Sequence, residues 1–208
     1  MSTQVLQSLP ASSRCVERWA NGSGQTEVLL REPDDANWRV RISIARVEQE
    51  GPFSELPEAQ RLLVPLDAPM ELRFSGGRVQ RADRFGVLRF DGAPAPFGVL
   101  PEGPTRDFNL MLRNGARGEL FARTLVDSLM LLPEPGVHWL VYVNRGRAQI
   151  VCGGASLSLD PDEAVLLAFP PQSAARAAIE GGGELVLVKL CGSRDSALEI
   201  RDSQPQKA

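Results

Sequence analysis

Residues 19–28 read WANGSGQTEV. Trp19 offers a flat apolar face, Asn21 and Thr26 can donate and accept hydrogen bonds, and Gly22 and Gly24 let backbone amides approach a ligand closely. The stretch is a candidate binding loop. Asn-Gly is also a strong turn signal, so a tight turn joining two strands accounts for the same residues. Further on, RVRISIARV sets Arg41 and Ser43 on one strand face and Val40, Ile42 and Ile44 on the other. DFNLMLR likewise places Asp107, Asn109 and Met111 together. An acid, an amide, a hydroxyl and a guanidinium turned inward predict a hydrated pocket, because a polar group left unpaired in a dry core costs about 1 to 3 kcal/mol. The plainer alternatives are a surface ion pair for Arg41 and a strand-end cap for Asp107.

Other chemistries are poorly supplied. Metal-dependent β-barrel enzymes gather two or three imidazoles and a carboxylate, whereas His138 is the chain's one histidine. It stands beside Trp139 with no cysteine at ligand spacing, so a structural or solvated role is expected. No GxSxG elbow accompanies it, and NGSG at 21–24 lacks the lysine and hydroxyl of a phosphate-binding loop. Cys15, Cys152 and Cys191 are odd in number and show no metal spacing, which predicts free thiols. A net charge of -3 with interspersed signs leaves no basic stripe for nucleic acid or an anionic membrane. The opening residues show no basic region followed by an apolar core, and no apolar run has bilayer length. A cytoplasmic location is therefore expected, and Asn21-Gly22-Ser23 reads as a chance sequon.

A β framework must position the polar groups. The 208 residues carry 16 prolines and 19 glycines that punctuate short apolar runs, and few windows hold a helical period for three turns. Strands are expected at 61–66, 70–74, 85–90, 107–113, 119–126, 138–143, 147–152, 164–169 and 184–190, short helical turns within 1–18 and 172–178, and a frayed end at 201–208. A shift of 77 to 79 residues carries LLVPLDAPMELRF from Leu62 onto WLVYVNRGRAQIVC from Trp139, both strand, tight turn, strand. The same shift carries FGVLRF onto AVLLAF and DFNLMLR onto ELVLVKL. Duplication of this kind predicts an all-β chain of two jelly-roll barrels, over residues 1–117 and 118–208. Glu184, Val186 and Val188 then match Asp107, Asn109 and Met111, so the second barrel is expected to be filled and the first to carry the site.

The ordered motifs WANGSGQT at 19–26, RISIA at 41–45, GPFSELP at 51–57 with Arg61 after it, FDG at 90–92 and DFNLMLR at 107–113 resemble the HutD/Ves family over roughly residues 15–192. The resemblance implies two cupin barrels (a bicupin) without the usual metal ligands and without a cofactor. For HutD members it implies binding of a carboxylate intermediate of histidine breakdown, urocanate or formiminoglutamate, and restraint of that pathway; for Ves members it implies a link to stress responses. Matched residue by residue, it assigns ligand contact to Trp19, Asn21, Gly22, Gly24 and Thr26, to Arg41 and Ser43, to Phe53 and Arg61, and to Asp107, Asn109 and Met111. Glu27 stands where the family often has arginine and Glu58 where it has glycine. Trp38 is the substitute offered for a tryptophan at the place of Val40.

For such a carboxylate, Arg41 or Arg61 would supply a planar fork, Ser43 and Thr26 hydroxyls, and Trp19 or Phe53 a stacking face. Two or three charge-assisted hydrogen bonds of about 1.5 to 3 kcal/mol each reach roughly micromolar binding. No catalytic residue is assigned. The alternatives are a metal-independent isomerase or hydrolase using Asp107 as general acid or base, and a stress-response scaffold acting through protein partners. A homodimer is expected by analogy of fold alone.

Overall fold

The computed structural model describes residues 5–19, 24–169 and 176–192. They contain no α-helix, only 3-10 turns at Ala11–Ser13 and Ser75–Gly77. The first meets the expected turn within 1–18. Of the turn expected at 172–178, residues 172–175 lie outside the described residues and a strand begins at Ala177. The end at 201–208 also lies outside them.

Two sheets build the first barrel. The larger runs in spatial order β2 (Cys15–Arg18), β3 (Gly24–Glu32), β4 (Val40–Val47), β11 (Thr105–Leu112), β6 (Gln60–Pro65), β9 (Leu88–Asp91). The smaller runs β5 (Gly51–Pro52), β10 (Phe97–Val99), β7 (Met70–Arg73), β8 (Val79–Ala82). The second half is one sheet, β1 (Val5–Leu9), β15 (Ala164–Ala168), β13 (Val137–Cys152), β16 (Ala177–Cys191), β12 (Arg117–Leu131), with β14 (Ala155–Leu159) also paired to β13. All pairings are antiparallel. β12 begins at Arg117, near the division expected after 117, but β1 crosses that division by pairing with β15 in the second-half sheet.

The duplication is visible in the ladders. In β4, β11 and β6, Asn109 lies between Ser43 and Leu63. Moving each by 78 residues places Leu187 between Phe121 and Val141, the pairing found in β12, β16 and β13.

The strand, turn, strand expected over 139–152 is instead one strand, bulged between Val143 and Arg145. Its ladder to β16 resumes at Arg145 opposite Glu184, because glycines let both chains bend without breaking it. Gly146 and Gly183 have φ of 82° and 138°, and a Cβ on them would stand 2.1 Å from the Gly182 oxygen and 2.0 Å from the Arg145 oxygen. The two halves of β13 and of β16 therefore line one core: Val141, Val143 and Leu187 lie with Ile150, Cys152 and Ile179. β9 starts later than expected, at Leu88, since Phe85 has φ 68° and its amide donates to the Pro65 oxygen in a turn.

The two large sheets stack face to face. Ile42, Ile44, Leu62, Val64, Phe108 and Leu110 of the first half share a core with Leu140, Tyr142, Leu166, Val186 and Val188 of the second. Phe108 and Tyr142 meet at 5.4 Å between ring centroids. Both faces of these strands are covered, one by the other barrel and one by its own lumen, so β6 and β11 are buried almost continuously. An ionic network closes the rim of the junction: Arg106 reaches Asp67 at 2.9 Å, Asp162 at 2.8 Å and Asn144 at 3.1 Å, and Arg84 reaches Glu184 at 2.5 Å.

One expectation changes here. Val186 and Val188 face the junction and not the second lumen, and Glu184 lies in the rim network. The lumen is filled by the alternate set, Leu185 and Leu187. A 77-residue alignment puts the strand one residue out of phase, and one residue in a strand exchanges the faces. No helix of the described residues is long and apolar enough to cross a membrane.

Candidate functional site

Strand register carries the polar residues into one place. Across β4, β11, β6 and β9, the inward rows are Arg41, Met111, Arg61, Phe90 and then Ser43, Asn109, Leu63, Leu88. The third row runs Thr26, Ala45, Asp107, Pro65. Arg41, Met111 and Arg61 of the first row, Ser43 and Asn109 of the second and Thr26, Ala45 and Asp107 of the third line a cavity of about 480 Å³, together with Trp19, Phe53, Glu17, Gln49, Ser54 and Leu56. Met70 and Leu72 of the small sheet and Phe74 just after them join Leu63, Leu88 and Phe90 in an apolar cluster.

Arg61 is 4% exposed. It donates to the Asn109 Oδ1 at 3.3 Å and to the Ser54 carbonyl at 3.4 Å, and makes no ion pair with a described residue. Its guanidinium lies over the Phe53 and Phe90 rings, 4.9 and 5.2 Å from their centroids. Desolvation lowers its pKa to about 10, opposed by the nearby Asp107, so it keeps its proton at neutral pH. Asn109 bridges onward, donating its Nδ2 to the Asp107 Oδ1 at 2.5 Å.

Asp107 is fully buried, and its Oδ2 has no partner among the described residues. Burial pushes its carboxyl up to about 7, against the opposing pull of Arg61, Asn109 and the Ala45 backbone. The Ser43 Oγ and the Arg61 Nε are buried without partners as well. Native interiors pair nearly all such atoms, so this concentration of unmet donors and acceptors inside one cavity marks a place for a polar ligand or solvent.

Arg41 differs from Arg61. It meets the Glu17 carboxylate at 2.6 Å near the mouth, and Glu17 also holds Arg31 at 3.1 Å. The ion-pair alternative therefore describes Arg41, which still lines the cavity.

Of the residues singled out from the sequence, Trp19, Thr26, Arg41, Ser43, Phe53, Arg61, Asp107, Asn109 and Met111 all line the cavity. Asn21 and Gly22 lie outside the described residues. Gly24 opens β3 and does not line the cavity. A Cβ there would stand 2.3 Å from the Arg46 carbonyl oxygen and 3.1 Å from the Trp19 ring, so its role is to let the indole pack against the hairpin. The indole is then anchored by donating its Nε1–H to the Thr26 Oγ1 at 2.8 Å. Trp38 is not a cavity residue; Arg113 stacks on it at 4.1 Å. Glu27 faces away, paired with Arg14 at 3.1 Å and Arg46 at 3.2 Å, so its charge does not enter the cavity. Glu58 is exposed with φ 61°, a left-handed position that suits glycine.

Glu17 was missed. Its signal was its strand: in β2 it lies opposite Thr26, two residues before Trp19. His138 does not line the cavity, and burial lowers its pKa. Among the described residues no three His, Cys, Asp or Glu side chains cluster so as to hold a metal ion.

A family model described as HutD matches residues 11–187. Protein Ves of Cronobacter sakazakii is 30% identical over 137 residues, 65% of this chain and 74% of that protein. An uncharacterized 21.2 kDa protein in the hutC 3' region of Pseudomonas putida is 34% identical over 98 residues, 45% of this chain and half (50%) of its own length. The solved structure of HutD from Pseudomonas fluorescens SBW25 (formate condition) shares the fold, with TM-score 0.71 and 20% identity over 90% of this chain and 100% of that one.

Proposed function

The chain belongs to the HutD family, and from that premise we propose that its first barrel binds a small carboxylate intermediate of histidine degradation, urocanate or formiminoglutamate, and modulates histidine utilisation. The observation that carries this reading is Arg61, a buried guanidinium that makes no ion pair among the described residues, facing a cavity in which Ser43 and Asp107 also have unmet hydrogen-bonding atoms. A carboxylate would supply the missing charge and accept from the arginine fork. Trp19 and Phe53 supply flat walls for a conjugated body. The link to histidine utilisation rests on HutD itself and on the Pseudomonas putida relative named for the hutC 3' region.

Thermal unfolding with and without ligand tests it. At roughly a hundredfold excess over Kd, a ligand specific for the folded state raises Tm by about 5 °C or more. Urocanate or formiminoglutamate is expected to give that rise, and Arg61→Ala to abolish it. No shift with either compound at millimolar concentration overturns the reading.

One observation favours a second reading, catalysis: a carboxyl with a pKa of about 7 inside a cavity has the value a general acid or base needs near neutral pH. That reading expects the ultraviolet absorbance of urocanate to fall on incubation with the protein, and a spectrum stable over hours at high protein concentration rejects it for this compound.

A further inference from the structure

Resting on the carboxylate-binding reading, we infer that Asp107 takes part in binding as a neutral acid, donating its hydroxyl to the ligand carboxylate that meets Arg61, so that each such carboxylate is buried together with one proton from solvent. One amide joins the two groups. The Asn109 Oδ1 accepts from Arg61 at 3.3 Å, and its Nδ2 donates to the Asp107 Oδ1 at 2.5 Å. The Asp107 Oδ2, the Arg61 Nε and the Ser43 Oγ are left as buried atoms without partners among the described residues. Register sets them on adjacent strands, Ser43 of β4 opposite Asn109 of β11 and Arg61 of β6 opposite Met111. A carboxylate offers acceptors only, so it can use the Arg61 N–H and the Ser43 hydroxyl as they stand, but the Asp107 Oδ2 only when that atom carries a hydrogen.

The charges favour the same state. Besides Arg61 and Asp107, the charged residues lining the cavity are Arg41 of β4 and Glu17 and Arg18 of β2, while β3 brings only Thr26. Arg41 is held by Glu17 at 2.6 Å, and Arg18 is exposed. Beyond the opposite face of the sheet, Arg106 is held by Asp67 and Asp162, and Tyr142 donates to Asp162. Arg61 is therefore the cation that acts on Asp107. With Asp107 ionised the two charges balance, and a ligand carboxylate would set a second buried anion against one buried cation, at a cost that desolvation makes large. A proton on Asp107 removes that excess and turns an idle acceptor into a donor. Burial already holds this carboxyl at about 7, so near neutral pH the proton is gained at little cost, and a neighbouring carboxylate raises the value further.

Calorimetric titration of the full chain with urocanate, repeated in two buffers of different ionisation heat, counts the proton. At about pH 8 the wild type is expected to take up more than about half a proton per ligand, and its affinity to fall at least about tenfold from about pH 7 to about pH 9. Asp107→Asn puts a permanent amide donor in place of the acid hydroxyl. It is expected to bind about as tightly as wild type near pH 7, to keep that affinity at higher pH and to take up no proton. Titration of urocanate itself is common to both proteins and cancels between them. Urocanate binding to the wild type without proton uptake, or with an affinity flat or rising with pH, overturns the inference while leaving the carboxylate site standing. The same pH dependence in Asp107→Asn overturns it too, as does a folded variant that no longer binds. If that variant does not fold, the wild-type proton count decides alone. Absence of urocanate binding to the wild type removes the underlying reading, and the inference with it.

Discussion

Where the first barrel has Arg61 the second has Trp139, and where the first has Ser43 the second has Phe121, at equivalent places in the two ladders. Asp107 and Asn109 correspond in the same way to Leu185 and Leu187. In the second lumen Phe121 and Trp139 lie 6.2 Å apart between ring centroids and pack with Leu185, Leu187, Val141 and Ile150. One strand framework thus holds both a hydrocarbon core and a polar cavity. The second barrel and the stacked sheets contribute stability, and the first lumen gives part of that up by leaving buried polar atoms unmatched.

Making the lumens alike tests this most directly. Leu187→Asn puts into the second barrel the amide that Asn109 supplies in the first, where neither Arg61 nor Asp107 is present to meet it. The loss is expected at about 3 to 5 kcal/mol, from lost burial plus an unpaired amide, read as a fall in the urea midpoint. A cost below about 1 kcal/mol would mean that the second lumen also tolerates polar groups.

The reverse exchange is smaller and opposite in sign. Arg61→Trp, Asp107→Leu and Asn109→Leu together give the first barrel the second's residues, and are expected to raise stability by about 1 to 2 kcal/mol while removing the response of Tm to urocanate. A destabilised triple variant would show that the polar set supports the barrel structurally.

A further test is one of pH. Folded Asp107 titrates at about 7 against an ordinary value of 3.8, so between those values the folded chain holds a proton that the unfolded chain releases. Its contribution is intact below about pH 4 and is lost as pH rises towards 7. Asp67 and Glu184 have lowered pKa values, through hydrogen bonds from Arg106 and Arg84, and act in the other direction. The difference between wild type and Asp107→Asn isolates the buried acid: the variant should gain relative stability from about pH 4 to about pH 7 and then level off. A difference that is flat with pH would place Asp107 in ordinary solvation.

Much of this was legible before any coordinates. Alternation in RVRISIARV and DFNLMLR separates Arg41, Ser43, Asp107 and Asn109 from the aliphatic residues between them, and the structure turns those aliphatics to the other barrel and the polar set to the lumen. The repeat was legible too, but its phase was not. Short aliphatic runs align almost as well at 77 as at 78 residues, and only the ladder distinguishes Leu187 from Val186 as the counterpart of Asn109.

The sequence by itself determined the two barrels, the polarity of the first and the short list of inward residues, because strand period and the cost of buried polar groups act locally and leave their pattern in residue order. Only the tertiary structure decided that Arg41 is held by Glu17 while Arg61 makes no ion pair among the described residues, and that Glu27 turns outward to Arg14 and Arg46. Those outcomes depend on which charges different strands bring within a few ångströms of one another, and charge pairing across a sheet is set by register and bending, which spacing along one strand does not encode.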